Sequence, residues 1–256
     1  MARPGFSFAN DGRKKLAVIS HERSGTHFLM NTVANHFGYM SKPWWNFDFD
    51  SMTINFHAPV SIQKYFQQFH DKSIINILKS HHPATFFDGI LDYITDQFHV
   101  LYIYRDPRDA LISNWKLIRS FSWDEGPKPE TAAEFIRAEP RGGMMRYQKT
   151  QERNMLHRWQ SNVKSWLDAA EKNPSLPICV IKYEELNDNF EKTLRQIEQF
   201  TGISCGQIEK PKVNENVIGS GEGKSGGYKK YLNHEDLEFV DREVGDFMRT
   251  LGYHND

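Results

Sequence analysis

The sequence predicts a three-layer α/β fold, a mostly parallel central sheet flanked by helices on both faces. Three observations predict it. Short apolar runs that read as buried strands recur along the chain. Stretches with helical periodicity separate them. Polar, glycine- or arginine-bearing motifs stand where those strands end, which is where open parallel sheets bind ligands.

Taken in order, Lys15–Ser20 (KLAVIS) reads as the first strand, HERSG as a turn and Thr26–Phe37 as a helix. Residues 41–60 are aromatic and read as irregular. Residues 74–78 form a second strand candidate that ends at KSHHP, and 85–97 a helix. HVLYIY, 99–104, is a third strand; Pro107 suits the first turn of the helix that follows, which runs to about 121. Residues 122–145 read as a loop with a short helix near 131–138, and 146–172 as one long helix. ICVIK, Ile178–Lys182, is a fourth strand. Helices over 189–201 and 236–251 bracket a long loop at 204–228.

The 256 residues suit a single domain, 1–256, with a sizeable core. A net charge of −1 gives no global field for a polyanion, which argues against nucleic acid as a partner. Cys179 and Cys205 form neither a metal-ligand pair nor a disulfide framework. No apolar run approaches the roughly 20 residues of a membrane span, and the polar N-terminus lacks an apolar signal core, so the expectation is a cytoplasmic protein. The 18 Phe, 10 Tyr and 6 Trp furnish either a ring-rich core or an aromatic pocket.

HERSGT between a strand and a helix has the makings of an anion cradle. Gly25 permits a tight turn, the free N–H groups of residues 24–28 face outward, and the helix dipole adds partial positive charge. Arg23, Ser24 and Thr26 supply further donors. The plainer alternative is an ordinary helix start capped by Ser24 or Thr26. The GxxxxGK[ST] spacing of a Walker A loop is absent.

HERSGTHF resembles the 5′-phosphosulfate loop of sulfotransferases that use 3′-phosphoadenosine-5′-phosphosulfate (PAPS), written PKSGTxW in the cytosolic branch. Tyrosylprotein and some carbohydrate sulfotransferases have Arg at the place of Arg23. The resemblance implies a P-loop NTPase-like sulfotransferase fold, with Arg23, Ser24, Gly25, Thr26 and His27 on the 5′-phosphosulfate. Phe28 stands where the family has Trp, which implies stacking on adenine; the alternative is a core ring. YRDPRDALISNW resembles the 3′-phosphate motif, which implies that Arg105 and Ser113 clamp that phosphate. The alternative for Arg105 is an ion pair with Asp106 or Asp109, and Arg108 is expected to pair locally.

KSHHP resembles the KTHLP segment, which implies His81 as catalytic base with Lys79 beside the transferring group; His82 is the alternative within the pair. KYEEL resembles the YED segment and implies Tyr183 at adenine, with Glu184 and Glu185 solvated or ion-paired. The family's late loop RKGxxGDWK is only partly matched by GEGKSGGYK, residues 221–229. Gly223, Gly226 and Lys229 agree, whereas Gly221-Glu222 replace Arg-Lys. Glu222 beside a phosphate is unfavourable, so either it points away or Lys224 does the neutralising; Gly223 and Lys224 are the expected contacts of a flap that orders on nucleotide binding, the alternative being an ordinary exposed loop. The KxxxTVxxxE dimer motif is not evident after Tyr228, so no particular oligomer is expected.

The function this implies is sulfuryl transfer from PAPS to a hydroxyl or amine, giving adenosine 3′,5′-bisphosphate, with Arg23 and Lys79 stabilising charge and no metal required. A small-molecule, lipid, glycan or peptide-tyrosine acceptor is compatible with the aromatic stretch 44–56 and the loop 122–145. Two other readings stay open. A kinase-like phosphotransferase would need Lys-Ser/Thr after Gly25, where Thr26-His27 stand. A non-catalytic nucleotide-binding protein would take Glu222 as a sign of decay.

Overall fold

The computed structural model describes residues 13–50, 55, 58–72, 75–173, 175–210 and 225–254. Strand β1 (Lys15–Ser20) leads through the HERSG turn into helix α1 (Thr26–Phe37). Then come β2 (Trp45–Asn46), α2 (Phe47–Asp50), α3 (Pro59–Lys72) and β3 (Ile77–Ser80). A 3₁₀ turn (Ala84–Phe87) precedes α4 (Leu91–Gln97), β4 (Phe98–Tyr104), α5 (Pro107–Ser120) and α6 (Ala132–Arg137). After a second 3₁₀ turn (Gly142–Tyr147) the chain continues as α7 (Met155–Lys172), β5 (Ile178–Lys182), α8 (Tyr183–Asp188) and α9 (Phe190–Thr201). A third 3₁₀ turn (Gly227–Lys230) leads to α10 (His234–Thr250).

The five strands are all parallel, in the order β2-β3-β1-β4-β5. Register is set by Leu16 opposite Ile77, Lys15 opposite Phe98 and Val100 opposite Ile178. Side chains alternate between two buried faces, as period-two strands require. Leu16, Val18, Leu101, Ile103, Cys179 and Ile181 pack with α1, α8 and α9. Ala17, Ile19, Val100 and Tyr102 pack on the opposite side with Ile62, Phe66, Phe69 and Trp166. A third cluster joins α5, α6, α7 and α10. The central position of β1 puts the chain reversal of the sheet at its carboxyl end, between β3 and β4. No helix among the described residues is long and apolar enough to cross a membrane.

Several elements differ from the sequence expectation. The segment expected to be one helix over 85–97 is a 3₁₀ turn and a separate helix, because Gly89, at φ +83, breaks it. The expected helix over 146–172 starts only at Met155, where the Asn154 side chain accepts from the His157 amide and caps it. Within 41–60, expected to be irregular, stand β2 and α2. Helix α3 was not expected, and the second strand is Ile77–Ser80 rather than 74–78.

Trp166 is fully buried, stacks on Tyr102 at 5.5 Å between centroids, and donates from Nε1 to the His82 carbonyl at 2.9 Å. Trp166→Ala removes that packing and that donor together. It should cost about 3–5 kcal/mol in urea unfolding.

Candidate nucleotide and transfer site

Four strand ends converge. At the end of β1, Gly25 takes φ +98 and Arg23 φ +62, so the chain turns sharply into α1. No side chain caps that helix, and Leu29 N is bonded to Gly25 O, so the amides of Thr26, His27 and Phe28 have no partner within the helix. The sequence alternative of Ser24 or Thr26 as a cap is therefore corrected. Thr26 Oγ1 instead meets Ser20 Oγ at 2.6 Å, and the buried Ser24 Oγ has no hydrogen-bond partner among the described residues. A Cβ on Gly25 would come within 2.4 Å of Tyr183 Cδ2, so Gly is dictated by the neighbour as well as by φ.

Arg23 Nε donates to Ser113 Oγ at 3.0 Å, which ties the first loop to α5. Arg105 lies over the Tyr183 ring, its guanidinium carbon 4.3 Å from the centroid, and pairs with Asp109 at 3.8 Å. Burial, then the nearby Arg105, lowers the pKa of Arg23, as expected for cations gathered where an anion belongs. The Asn114 amide nitrogen, next to Ser113, is buried without a hydrogen-bond partner among the described residues. Orphaned donors at Ser24 and Asn114, free helix amides and two arginines fit a ligand with two phosphate groups. Tyr183 opens α8 and is buried beside Arg105 and Gly25, and Phe28 packs edge-on to it at 6.2 Å and against Phe190 at 6.3 Å. The structure thus brings together Arg23, Ser24, Gly25, Thr26, Phe28, Arg105, Ser113 and Tyr183. Gly223 and Lys224, with the rest of 211–224, lie outside the described residues.

At the end of β3, His81 and Lys79 are 8% and 7% exposed. His81 Nδ1 is 2.9 Å from the Ser20 carbonyl, which only accepts, so Nδ1 carries the proton and Nε2 keeps its lone pair. Burial, then Lys79, pushes the imidazole pKa down, so it is neutral at pH 7. His82 turns away: it is wholly buried, its Nδ1 is 2.8 Å from Ser80 Oγ, its ring lies 4.1 Å from Phe86, and burial pushes it down to about 3. His27, on the first turn of α1, packs edge-on to Trp44 at 5.1 Å, and burial, then Lys79, pushes it to about 4.

Sequence reasoning missed the residues that hold these loops. Arg158 of α7 pairs with Glu22 through two bonds of 2.8 and 2.6 Å and donates to His21 at 3.0 Å. Burial alone would raise Glu22, but Arg158 and His21 hold its carboxyl well below the usual range. Asn162 donates to the His81 carbonyl at 2.9 Å, and Trp159 to the Arg105 carbonyl at 3.1 Å. Asp48 accepts from the His81 amide at 2.7 Å and from Lys79. Glu184, expected to be solvated or ion-paired, instead accepts from the Asp106 amide and the Tyr253 hydroxyl, at 3.1 and 2.8 Å. Burial raises its carboxyl. Glu185 does pair with Lys192, at 3.6 Å, and Arg108 pairs locally with Asp106.

The family model for the sulfotransferase domain matches residues 13–252. The chain belongs to the sulfotransferase domain family. It is 24% identical over 186 residues to a 3-beta-hydroxysteroid sulfotransferase of Cavia porcellus, which is 72% of this chain and 58% of that protein. The chain thus spans less than two thirds of that curated relative. Mouse sulfotransferase SULT7A1 complexed with PAP superposes with a TM-score of 0.60 at 18% identity, over 92% of this chain and 85% of that one. Retinol dehydratase in complex with androsterone and PAP gives 0.58 at 16% identity, over 91% and 80%. These likenesses give the fold, the parallel sheet with its strand–loop–helix cradle.

Two predictions follow from the geometry. Gly25→Ala sets Cβ against Tyr183 and imposes about 1–2 kcal/mol of left-handed strain. Adenosine 3′,5′-bisphosphate affinity, by calorimetry, should fall about tenfold or more. Second, His21 (to about 4), His27 and His82 are all harder to protonate folded than unfolded, from an ordinary value of 6.5. The unfolded chain then binds more protons, and stability falls as pH drops from 6.5 towards 4. The raised carboxyls of Asp109 and Glu184 oppose this and are outnumbered by lowered Glu22, Asp48 and the histidines. The thermal midpoint at pH 5 should lie several degrees below that at pH 7.

Proposed function

We propose that this sulfotransferase-domain protein moves a sulfuryl group from PAPS to a hydroxyl or amine of a small organic acceptor. One observation carries the reading: a neutral histidine, with Nε2 free of a proton, sits with a lysine at the strand end next to an uncapped helix start. When bound, the donor supplies a sulfuryl group on a stable leaving group, adenosine 3′,5′-bisphosphate.

The chain's residues divide the remaining work. Amides of Thr26 to Phe28, Ser24 Oγ and Arg23 hold the 5′ end, and Arg105, Ser113 and Asn114 the 3′-phosphate. Tyr183 and Phe28 line the adenine side. Nε2 of His81 takes the acceptor proton, while Lys79 and Arg23 lower the cost of negative charge developing in transfer. The acceptor side is aromatic: Tyr147 stands edge-on to His81 at 5.7 Å, and Phe49 is exposed beside Arg146. Such walls suit an apolar or ring-bearing acceptor, in keeping with the androsterone and retinol held by structural relatives.

The test is a screen of alcohols, phenols, steroids and amines with radiolabelled PAPS, with His81→Ala as blank. His81→Ala should retain adenosine 3′,5′-bisphosphate binding and lower kcat by roughly 10²–10⁴. Equal loss of both would reject His81 as the base. Tight PAPS binding without turnover of any acceptor would favour a binding protein instead.

A further inference from the structure

Asp48 is the most buried acid of the site, 1% exposed, and no motif contains it. It reaches the site from α2. Phe47 anchors that turn among rings, 5.3 Å from Phe66 and 4.9 Å from His82, and Arg146 Nε holds the Asp48 carbonyl at 3.1 Å. One carboxylate oxygen accepts from the His81 amide at 2.7 Å; the other pairs with the Lys79 ammonium and lies 3.7 Å from His81 Nε2.

Those contacts have a chemical meaning. With the proton on Nδ1, Nε2 lies 3.7 Å from a carboxylate oxygen, and two acceptors cannot bond; the lysine neutralises the approach. Once Nε2 is protonated it becomes a donor, and the same carboxylate attracts it. In the transfer step the acceptor O–H bond breaks and Nε2–H forms. The acceptor oxygen bonds to sulfur as the bridging S–O bond breaks, and its electron pair leaves on the 5′-phosphate. The positive charge left on the ring then stands beside a fixed negative one.

We propose that Asp48 is a positioning residue that binds Lys79 and His81 into one unit and holds a carboxylate beside the nitrogen that takes the acceptor proton. This rests on the reading of His81 as base. The groups facing His81 are Lys79 and His82 from its own strand end, His21 and Glu22 after β1, His27 on α1, Tyr147 from the second 3₁₀ turn, and Asp48 itself. Of these, Asp48 and Glu22 favour the charged ring, while Lys79 opposes it. Removing Asp48 therefore leaves Lys79 uncompensated and the imidazole less basic.

The experiment is a titration of ¹⁵N-histidine-labelled protein followed by NMR, with the His81 signal assigned by its loss in His81→Ala. The wild type should show the Nδ1-protonated neutral ring, and Asp48→Asn should move the His81 titration to lower pH. If Asp48→Asn does not fold, Asp48→Ser, which keeps an acceptor for the His81 amide, should show the same shift. An unmoved titration, or an Nε2-protonated ring in the wild type, overturns the proposal. With an acceptor in hand, the acid limb of kcat/KM should move to lower pH in the variant. Its kcat should fall about 10- to 100-fold, the size known for removing the outer partner of a metal-bound imidazole, with bisphosphate affinity kept or tightened. A uniform loss at every pH with weakened nucleotide binding marks a structural role and overturns it. Because the titration needs no acceptor, absence of sulfotransfer counts against the function alone, and an unmoved titration in an active enzyme counts against Asp48 alone.

Discussion

Peptide carbonyls at the ends of the central strands leave the sheet without a ladder partner, yet lie in the interior where water does not reach them. Each needs a donor from elsewhere. One face of α7 supplies them. Trp159 serves the Arg105 carbonyl, Asn162 that of His81 and Trp166 that of His82, while Ser165 accepts from the Ala84 amide and Arg158 grips Glu22. Positions 158, 159, 162, 165 and 166 lie on one side of a helix with 3.6 residues per turn. A single rigid element thus fixes three loops from three strands relative to one another. Losing one such bond leaves a buried acceptor unsatisfied, at about 1–3 kcal/mol, and loosens the strand-end backbone of the candidate site as well.

The first loop depends on a second contact of this kind. Tyr183 begins α8 directly after β5, and its ring fills the space that a Cβ on Gly25 would occupy. The same ring carries the Arg105 guanidinium, its carbon 4.3 Å from the centroid. Glycine, tyrosine and arginine from three strand ends therefore meet at one ring, which limits the loop and seats the arginine. Pairing between β1, β4 and β5, all in parallel register, delivers the three residues to that ring.

The sequence made the residues of the candidate anion cradle legible because their chemistry restricts the choice: a turn that tight calls for Gly25, and Arg and Ser at strand ends are the donors a phosphate would need. Strands β1, β4 and β5 were legible for an equally simple reason: each is an apolar run, β1 and β4 buried on both faces and the edge strand β5 buried on one and half-buried on the other. Asp48 was not, since a carboxylate in an aromatic stretch has no spacing signature, and its partners are 31 and 33 residues away. The donors of α7 were equally silent. Trp, Asn and Arg on an amphipathic helix read as ordinary core and surface until the strand ends beneath them are known. β2, with two residues, is too short to show a period. The breaks at Gly89 and Asn154 were present as a glycine and a cap, but the helical patterns on either side of them run on with the same period.

Electrostatics gives the last link. Each cation of the site is already engaged by the fold: Lys79 by Asp48, Arg105 by Asp109, and Arg23 by the Ser113 hydroxyl. Asp109 also accepts from the amides of Gly226 and Tyr228, at 2.7 and 2.9 Å, so the carboxylate that steadies Arg105 also secures the start of the third 3₁₀ turn. Buried cations without counter-charges would repel one another and destabilise the apo protein. With carboxylates beside them, Lys79 and Arg105 keep their charge and their place, and the Ser113 hydroxyl holds Arg23 in place. Cations already oriented in this way would lose little side-chain freedom on meeting an anion. The carboxylates stay behind as fixed negative charges. Asp109 is turned towards the amides of Gly226 and Tyr228, which draw off part of its charge, whereas Asp48 stays beside Lys79 and 3.7 Å from His81 Nε2.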